Sequence, residues 1–169
     1  RITNNPSPWY VNLFITNKCN LRCPYCYIVT NRHGITGLSH KTLKEPTFEE
    51  IINNIDEMYD LGTRYVCLLG GEPLVREDLP QIVAHLKKKK MLVGLNSNGL
   101  LLSQHLDVLK EINRLTISIE GDEEMHDLDR GEGSYQEILK NIRICGENGI
   151  NKIGIQMTIT GTTRDSWEH

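Results

Sequence analysis

Short runs of β-forming residues alternate along this chain with stretches whose apolar residues recur every three to four positions, and that alternation leaves room for one class of fold. Tyr10-Val-Asn-Leu-Phe-Ile-Thr16 reads as a first strand, closed by the polar Asn17-Lys18. A long loop follows, and Thr47 with Glu50 then forms a capping box that opens a helix. Ile51, Ile55, Met58 and Tyr59 mark that helix's apolar face, and Gly62 ends it. Tyr65 to Leu69 is a buried strand. Leu79, Ile82, Val83 and Leu86 mark a second helix, and Met91 to Leu95 a third strand. Ser103 is expected to cap a short helix holding Leu106, Leu109 and Ile112, before a fourth strand from Leu115 to Ile119. Ser134 and Glu137 read as a second capping box, opening a helix with Ile138, Leu139, Ile142 and Cys145; Lys152 to Ile159 is a fifth strand.

Strands alternating with helices build right-handed crossovers and a parallel α/β sheet. Helices on one face would make a barrel or part of one, and helices on both faces a doubly wound sheet; periodicity does not choose. In either case function collects at the carboxyl ends of the strands.

Composition narrows the function. The 169 residues are 38% hydrophobic and 24% charged, with a net charge of −3. This excludes a disordered polyelectrolyte and leaves no excess of Lys and Arg to neutralise nucleic-acid phosphates. The longest strictly apolar run, Tyr65 to Leu69, is far too short to span a membrane. Three of the five cysteines, Cys19, Cys23 and Cys26, crowd into one short segment, which points to a reducing, cytoplasmic setting and a metal site rather than a disulfide framework.

The unusual residues fall where the fold class requires. Cys19, Cys23 and Cys26 follow the first strand, Gly70-Gly71-Glu72-Pro73 the second, Asn96-Ser97-Asn98-Gly99 the third and Ser118-Ile119-Glu120-Gly121 the fourth. Three thiolates fit either a structural zinc completed by His33 or His40, or an iron–sulfur cube with one iron left open. Thiolate softness serves both metals, so the cysteines alone do not decide. The Gly-rich turn favours the cluster, because it bares backbone and offers a carboxylate across from the cysteines, a partner that a structural zinc does not need.

Cys19-Asn-Leu-Arg-Cys23-Pro-Tyr25-Cys26, followed by Gly70-Gly71-Glu72-Pro73, resembles the radical S-adenosylmethionine (SAM) superfamily. Asn98-Gly99, Ser118-x-Glu120-Gly121 and His126-Asp127-x-x-Arg130-Gly131 are most similar to members with a C-terminal SPASM-type cluster domain, the peptide maturases and their relatives. The resemblance implies a partial (β/α) barrel in which Cys19, Cys23 and Cys26 hold a 4Fe–4S cluster. In that family the reduced cluster cleaves SAM to a 5′-deoxyadenosyl radical, which abstracts hydrogen from a substrate, here possibly a peptide. It implies that Gly70, Gly71 and Glu72 receive the methionine amino group, that Ser118 and Glu120 contact the ribose, and that Tyr25 lies against the adenine. Arg130 would pair with the SAM carboxylate, and Asn98 and Gln156 would line the pocket. It further implies an oxidoreductase fed by a flavodoxin or ferredoxin.

Several features receive a plainer reading. Cys67 and Cys145 are expected to be core thiols, Lys87 to Lys90 a solvated helix end, His85 and His105 surface residues, and His126 with Asp127 a hydrogen-bonded pair. Asp165-Ser-Trp-Glu168 looks like a helix cap just where the sequence stops. A radical SAM core truncated before its sixth strand is therefore expected over residues 1–169, with an open strand edge prone to self-association. The reading from another class is a zinc-stabilised α/β binding module without redox chemistry.

Overall fold

The structure is a computed structural model that describes residues 8–26 and 44–159. His33, His40 and the Asp165–Glu168 cap lie outside the described residues. Five strands, β1 (Tyr10–Thr16), β2 (Tyr65–Gly70), β3 (Leu92–Ser97), β4 (Arg114–Ser118) and β5 (Ile153–Gln156), form one parallel sheet in chain order. The helices are α1 (Phe48–Asp60), α2 (Leu79–Lys88), α3 (Leu106–Lys110), α4 (Glu123–Arg130) and α5 (Ser134–Glu147). A doubly wound sheet reverses its strand order at a switch point. This order never reverses, so crossovers of one hand set the helices on one face. The result is an open, partial (β/α) barrel.

The core lies between that face and the helices. Val66 sits beside Val93, and Leu68 beside Leu95 and then Leu115, while Ile51, Ile55, Ile82, Leu86 and Ile138 close over them, all essentially buried. The opposite, concave face is mixed in character and carries Phe14 beside Leu69, Cys67 beside Gly94, Asn96 beside Thr116, and Ser118 beside Gln156. No helix among the described residues is long and apolar enough to cross a membrane.

Local chemistry explains the element boundaries. At α1 the Thr47 side chain accepts from the Glu50 amide at 3.2 Å and Glu50 accepts from the Thr47 amide at 2.8 Å, the expected capping box. Other boundaries depart from expectation. Met91 is buried but precedes β3, because the tight turn at Lys90 (φ 57°) delays pairing to Leu92. Ser103 lies inside a 3₁₀ turn, and α3 starts at Leu106 without a side-chain cap. Ser134 is the first helical residue of α5 rather than its cap, since Gly133 takes the left-handed cap position (φ 76°). The donors there are served from α4, where the Asp127 carboxylate accepts from the amides of Gly133 and Tyr135 and from the Ser134 hydroxyl. Asp127 is thus no partner of His126, which instead accepts the Glu120 amide at 3.1 Å.

The plainer readings fare variously. Cys145 is a core thiol, whereas Cys67 is buried on the concave side and donates to Asn96 at 3.3 Å. His85 and Lys89 both reach Asp56, at 2.6 and 3.0 Å, on the outside of the helical layer.

Candidate functional site

The site begins where β1 stops. Past Thr16 the chain does not turn away but stays against the end of β2: the Gly71 amide donates to the Thr16 carbonyl and the Glu72 amide to the Lys18 carbonyl, both at 2.8 Å. So close an approach excludes side chains. A Cβ on Gly71 would come within 2.2 Å of the Lys18 carbonyl oxygen, and one on Gly70 within 2.5 Å of that of Thr16. The two glycines are there so that the cysteine loop can lie on bare backbone.

The loop then turns back on itself, with the Cys26 amide donating to the Cys23 carbonyl at 3.1 Å. Cys19, Cys23 and Cys26 all line one cleft of ≈ 270 Å³, together with Gly70 and Gly71, which lie directly against the Cys19 end of the loop. Burial pushes the Cys19 and Cys23 thiols up from their ordinary range, and a backbone amide, that of Leu21, works against this at Cys19. Asn98 also approaches Cys19, its side-chain amide lying 3.8 Å from Sγ and 2.7 Å from Asn20 Oδ1. Among the described residues no three His, Cys, Asp or Glu side chains close into a single-ion site. Three thiols lining one cleft suit a polynuclear centre that takes one thiolate per iron.

β3, β4 and β5 complete the walls. Asn98, Ser118, Arg130, Gln156 and the Tyr25 ring line the same cleft as the cysteines. Two expected site residues do not. Glu72 is completely buried, its carboxylate turned inward to accept from the Leu74 amide (3.1 Å), the Ser97 hydroxyl (3.0 Å) and the Asn98 amide (2.7 Å). Burial raises its carboxyl, with the Asn98 and Leu74 amides pulling the other way. Those donors tie the ends of β2 and β3 together, and Gly70 and Gly71, not Glu72, line the cleft there. Glu120 is also fully buried, bound to Tyr25 and Arg130, and is not among the residues that line the cleft.

The arrangement also includes residues that motif reading missed. Asn96 lines the cleft, accepting from the Cys67 thiol and donating to Gln156 at 3.3 Å. Phe14 and Leu69 supply an apolar wall. The signal was available: both alternate with core residues along their strands, which places them on the concave face. Arg130 holds Glu120 at 2.6 Å through Nη2, while its Nε is buried without a partner.

Comparison with known proteins agrees with this geometry. The family model described as the Radical SAM superfamily matches residues 13–169. A probable GTP 3′,8-cyclase of Archaeoglobus fulgidus is 30% identical over 159 residues, covering 92% of this chain and 51% of the relative. An Fe-coproporphyrin III synthase of Methanosarcina barkeri is 31% identical, covering 86% of this chain and 35% of the relative. The chain thus spans about half or less of these relatives. Among solved structures, native anSMEcpe with bound AdoMet superposes with a TM-score of 0.63 at 16% identity, over 88% of this chain and 42% of that one, a likeness of fold.

Proposed function

The chain belongs to the radical SAM superfamily, enzymes whose cofactors are a 4Fe–4S cluster and S-adenosylmethionine, and we propose that this cleft holds both. When bound, the pair supplies a low-potential electron and a sulfonium that is split homolytically, the source of hydrogen-atom abstraction. The observation that carries the reading is that all three cysteines share one cleft with the side-chain-free backbone of Gly70 and Gly71, against which their loop is packed.

Each remaining role follows from placement. Cys19, Cys23 and Cys26 hold three corners of the cluster and leave the fourth open. Gly70 and Gly71 receive the methionine amino group on their backbone. Arg130 offers a guanidinium edge to the SAM carboxylate. Ser118 and Gln156, neighbours across β4 and β5, reach the ribose hydroxyls. Asn98 lies against the Cys19 sulfur, and the Tyr25 ring borders the adenine. Phe14 and Leu69 help exclude water from the reacting region.

For the substrate we favour a small molecule, because the relatives at about 30% identity carry the names of a GTP 3′,8-cyclase and an Fe-coproporphyrin III synthase. A peptide substrate, with a SPASM-type domain in a longer chain, is the second reading, supported by the Ser118-x-Glu120-Gly121 and His126-to-Gly131 motifs. A flavodoxin or ferredoxin of a low-oxygen cytoplasm would deliver the electron.

The test is product analysis. Protein reconstituted anaerobically with iron and sulfide, then given dithionite and SAM, is expected to form methionine and 5′-deoxyadenosine. Changing any one of Cys19, Cys23 and Cys26 to Ala should abolish both products. A colourless protein that retains one zinc and forms neither product would establish the binding-module reading instead.

A further inference from the structure

Glu120 is a fully buried carboxylate in a position where the resemblance implies a ligand contact, yet the protein uses both its oxygens. Oε1 accepts from the Tyr25 hydroxyl at 2.8 Å and from Arg130 Nη2 at 2.6 Å, and Oε2 accepts from the Thr158 amide at 2.7 Å. Its own amide donates to Nδ1 of His126, another fully buried side chain. One carboxylate therefore ties together the cysteine loop, α4 and the segment leaving β5. The hydroxyl it grips belongs to the residue between Pro24 and Cys26, 95 positions away in sequence. Several bonds in the cysteine loop are local, such as Arg22 to the carbonyls of Cys19 and Leu21. Asn98 anchors the Cys19–Asn20 end through Asn20. Tyr25 anchors the Cys23–Cys26 end, and a buried carboxylate is a strong enough acceptor to set it.

We propose that Glu120 is a positioning residue: through the Tyr25 hydroxyl it fixes the Cys23–Cys26 half of the cysteine loop, and through Nη2 it aims Arg130 into the cleft. It acts on the cluster site without touching SAM. The ring of Tyr25 and the guanidinium of Arg130 then stack loosely, 5.9 Å apart, and keep the two halves of the wall in contact. The inference rests on reading the cleft as the cluster site, but the order of the loop is measurable without any cluster.

Two mild variants separate this role from a ribose contact. Tyr25→Phe removes only the hydroxyl. Glu120→Asp keeps the charge but withdraws it by one methylene from Tyr25 and, because both bonds fall on Oε1, from Arg130 as well. Hydrogen–deuterium exchange of residues 19–26 in the metal-free protein is expected to rise about tenfold in each, as loss of one charge-assisted hydrogen bond allows. The double variant should rise no further than either alone, because both break the same bond. In reconstituted protein, Tyr25→Phe should weaken SAM binding, and Glu120→Asp should weaken it at least as much, since it loosens Arg130 as well. If Glu120→Asp weakens SAM binding while Tyr25→Phe leaves both SAM binding and loop exchange at the parent level, Glu120 is a ligand contact and the proposal fails. Additive effects on exchange would overturn it too. Loop exchange that behaves as expected in a protein that never binds a cluster would support the positioning role and refute the proposed function separately.

Discussion

Asp127 shows how a single carboxylate can serve an element it does not belong to. Sitting in α4, it satisfies the first amides of α5, and those amides, the Tyr135 N–H foremost, hold its carboxyl below the usual range. A folded pKa below the unfolded one, about 3.9 for Asp, gives stability that is present above that value and lost as pH falls through the folded one. Asp127→Ala is therefore expected to cost about 1 kcal/mol at neutral pH, the usual worth of an N-terminal cap. In urea denaturation the gap between variant and parent should narrow as the pH is taken from neutral to below the unfolded value of about 3.9 and on through the lower folded one. A gap that is the same at both pH values would assign the cost to something other than the charge. The Ser134–Glu137 pattern looked like a self-contained cap because sequence shows only local spacing; a donor set served from a preceding helix leaves no local mark.

At the scale of elements, what was legible is what burial writes into sequence. α1, α2 and α5 carry an apolar stripe at helical spacing, and each was found within a residue or two. α4 was not, because its buried positions are His126 and Asp129 while its Leu128 is exposed, so no apolar period exists to read. Yet α4 carries Arg130 and the histidine behind Glu120, which makes it the element most tied to the site. The contact between the β2 end and the cysteine loop is the other decisive one, and it gives a sharp pair of variants. Gly71→Ala would drive a Cβ into the Lys18 backbone carbonyl, which has no side chain to rotate away. It should block iron incorporation on reconstitution. Gly146→Ala, in α5 with nothing within 4 Å, should leave iron content unchanged and gain up to about 1 kcal/mol in helix propensity. Equal iron content in the Gly71 variant and the parent would show that the close approach is dispensable.

For the whole molecule, periodicity announced a parallel α/β sheet but not which face the helices take, because strand order is a property of the assembled sheet. The uninterrupted order β1 to β5 decides for the open barrel and leaves β1 and β5 as its edges among the described residues. The exposed Ile155 on β5 lies on the helical side of the sheet, beside Ile117. The concave face gathers the cysteines, the bare glycine backbone and the polar ends of β3 to β5 into one cleft. The cysteine and glycine motifs marked its lining, but not that Glu72 and Glu120 are buried against protein donors, since a motif gives a residue's address and not the direction of its carboxylate. The claim beneath all of this is that three thiolates hold a cluster with one open iron facing SAM. Electron paramagnetic resonance of the anaerobically reconstituted, dithionite-reduced protein tests it most directly. The expected spectrum is that of a reduced 4Fe–4S cluster whose g-values shift when SAM is added; a protein without such a signal, or one whose signal is indifferent to SAM, would contradict it.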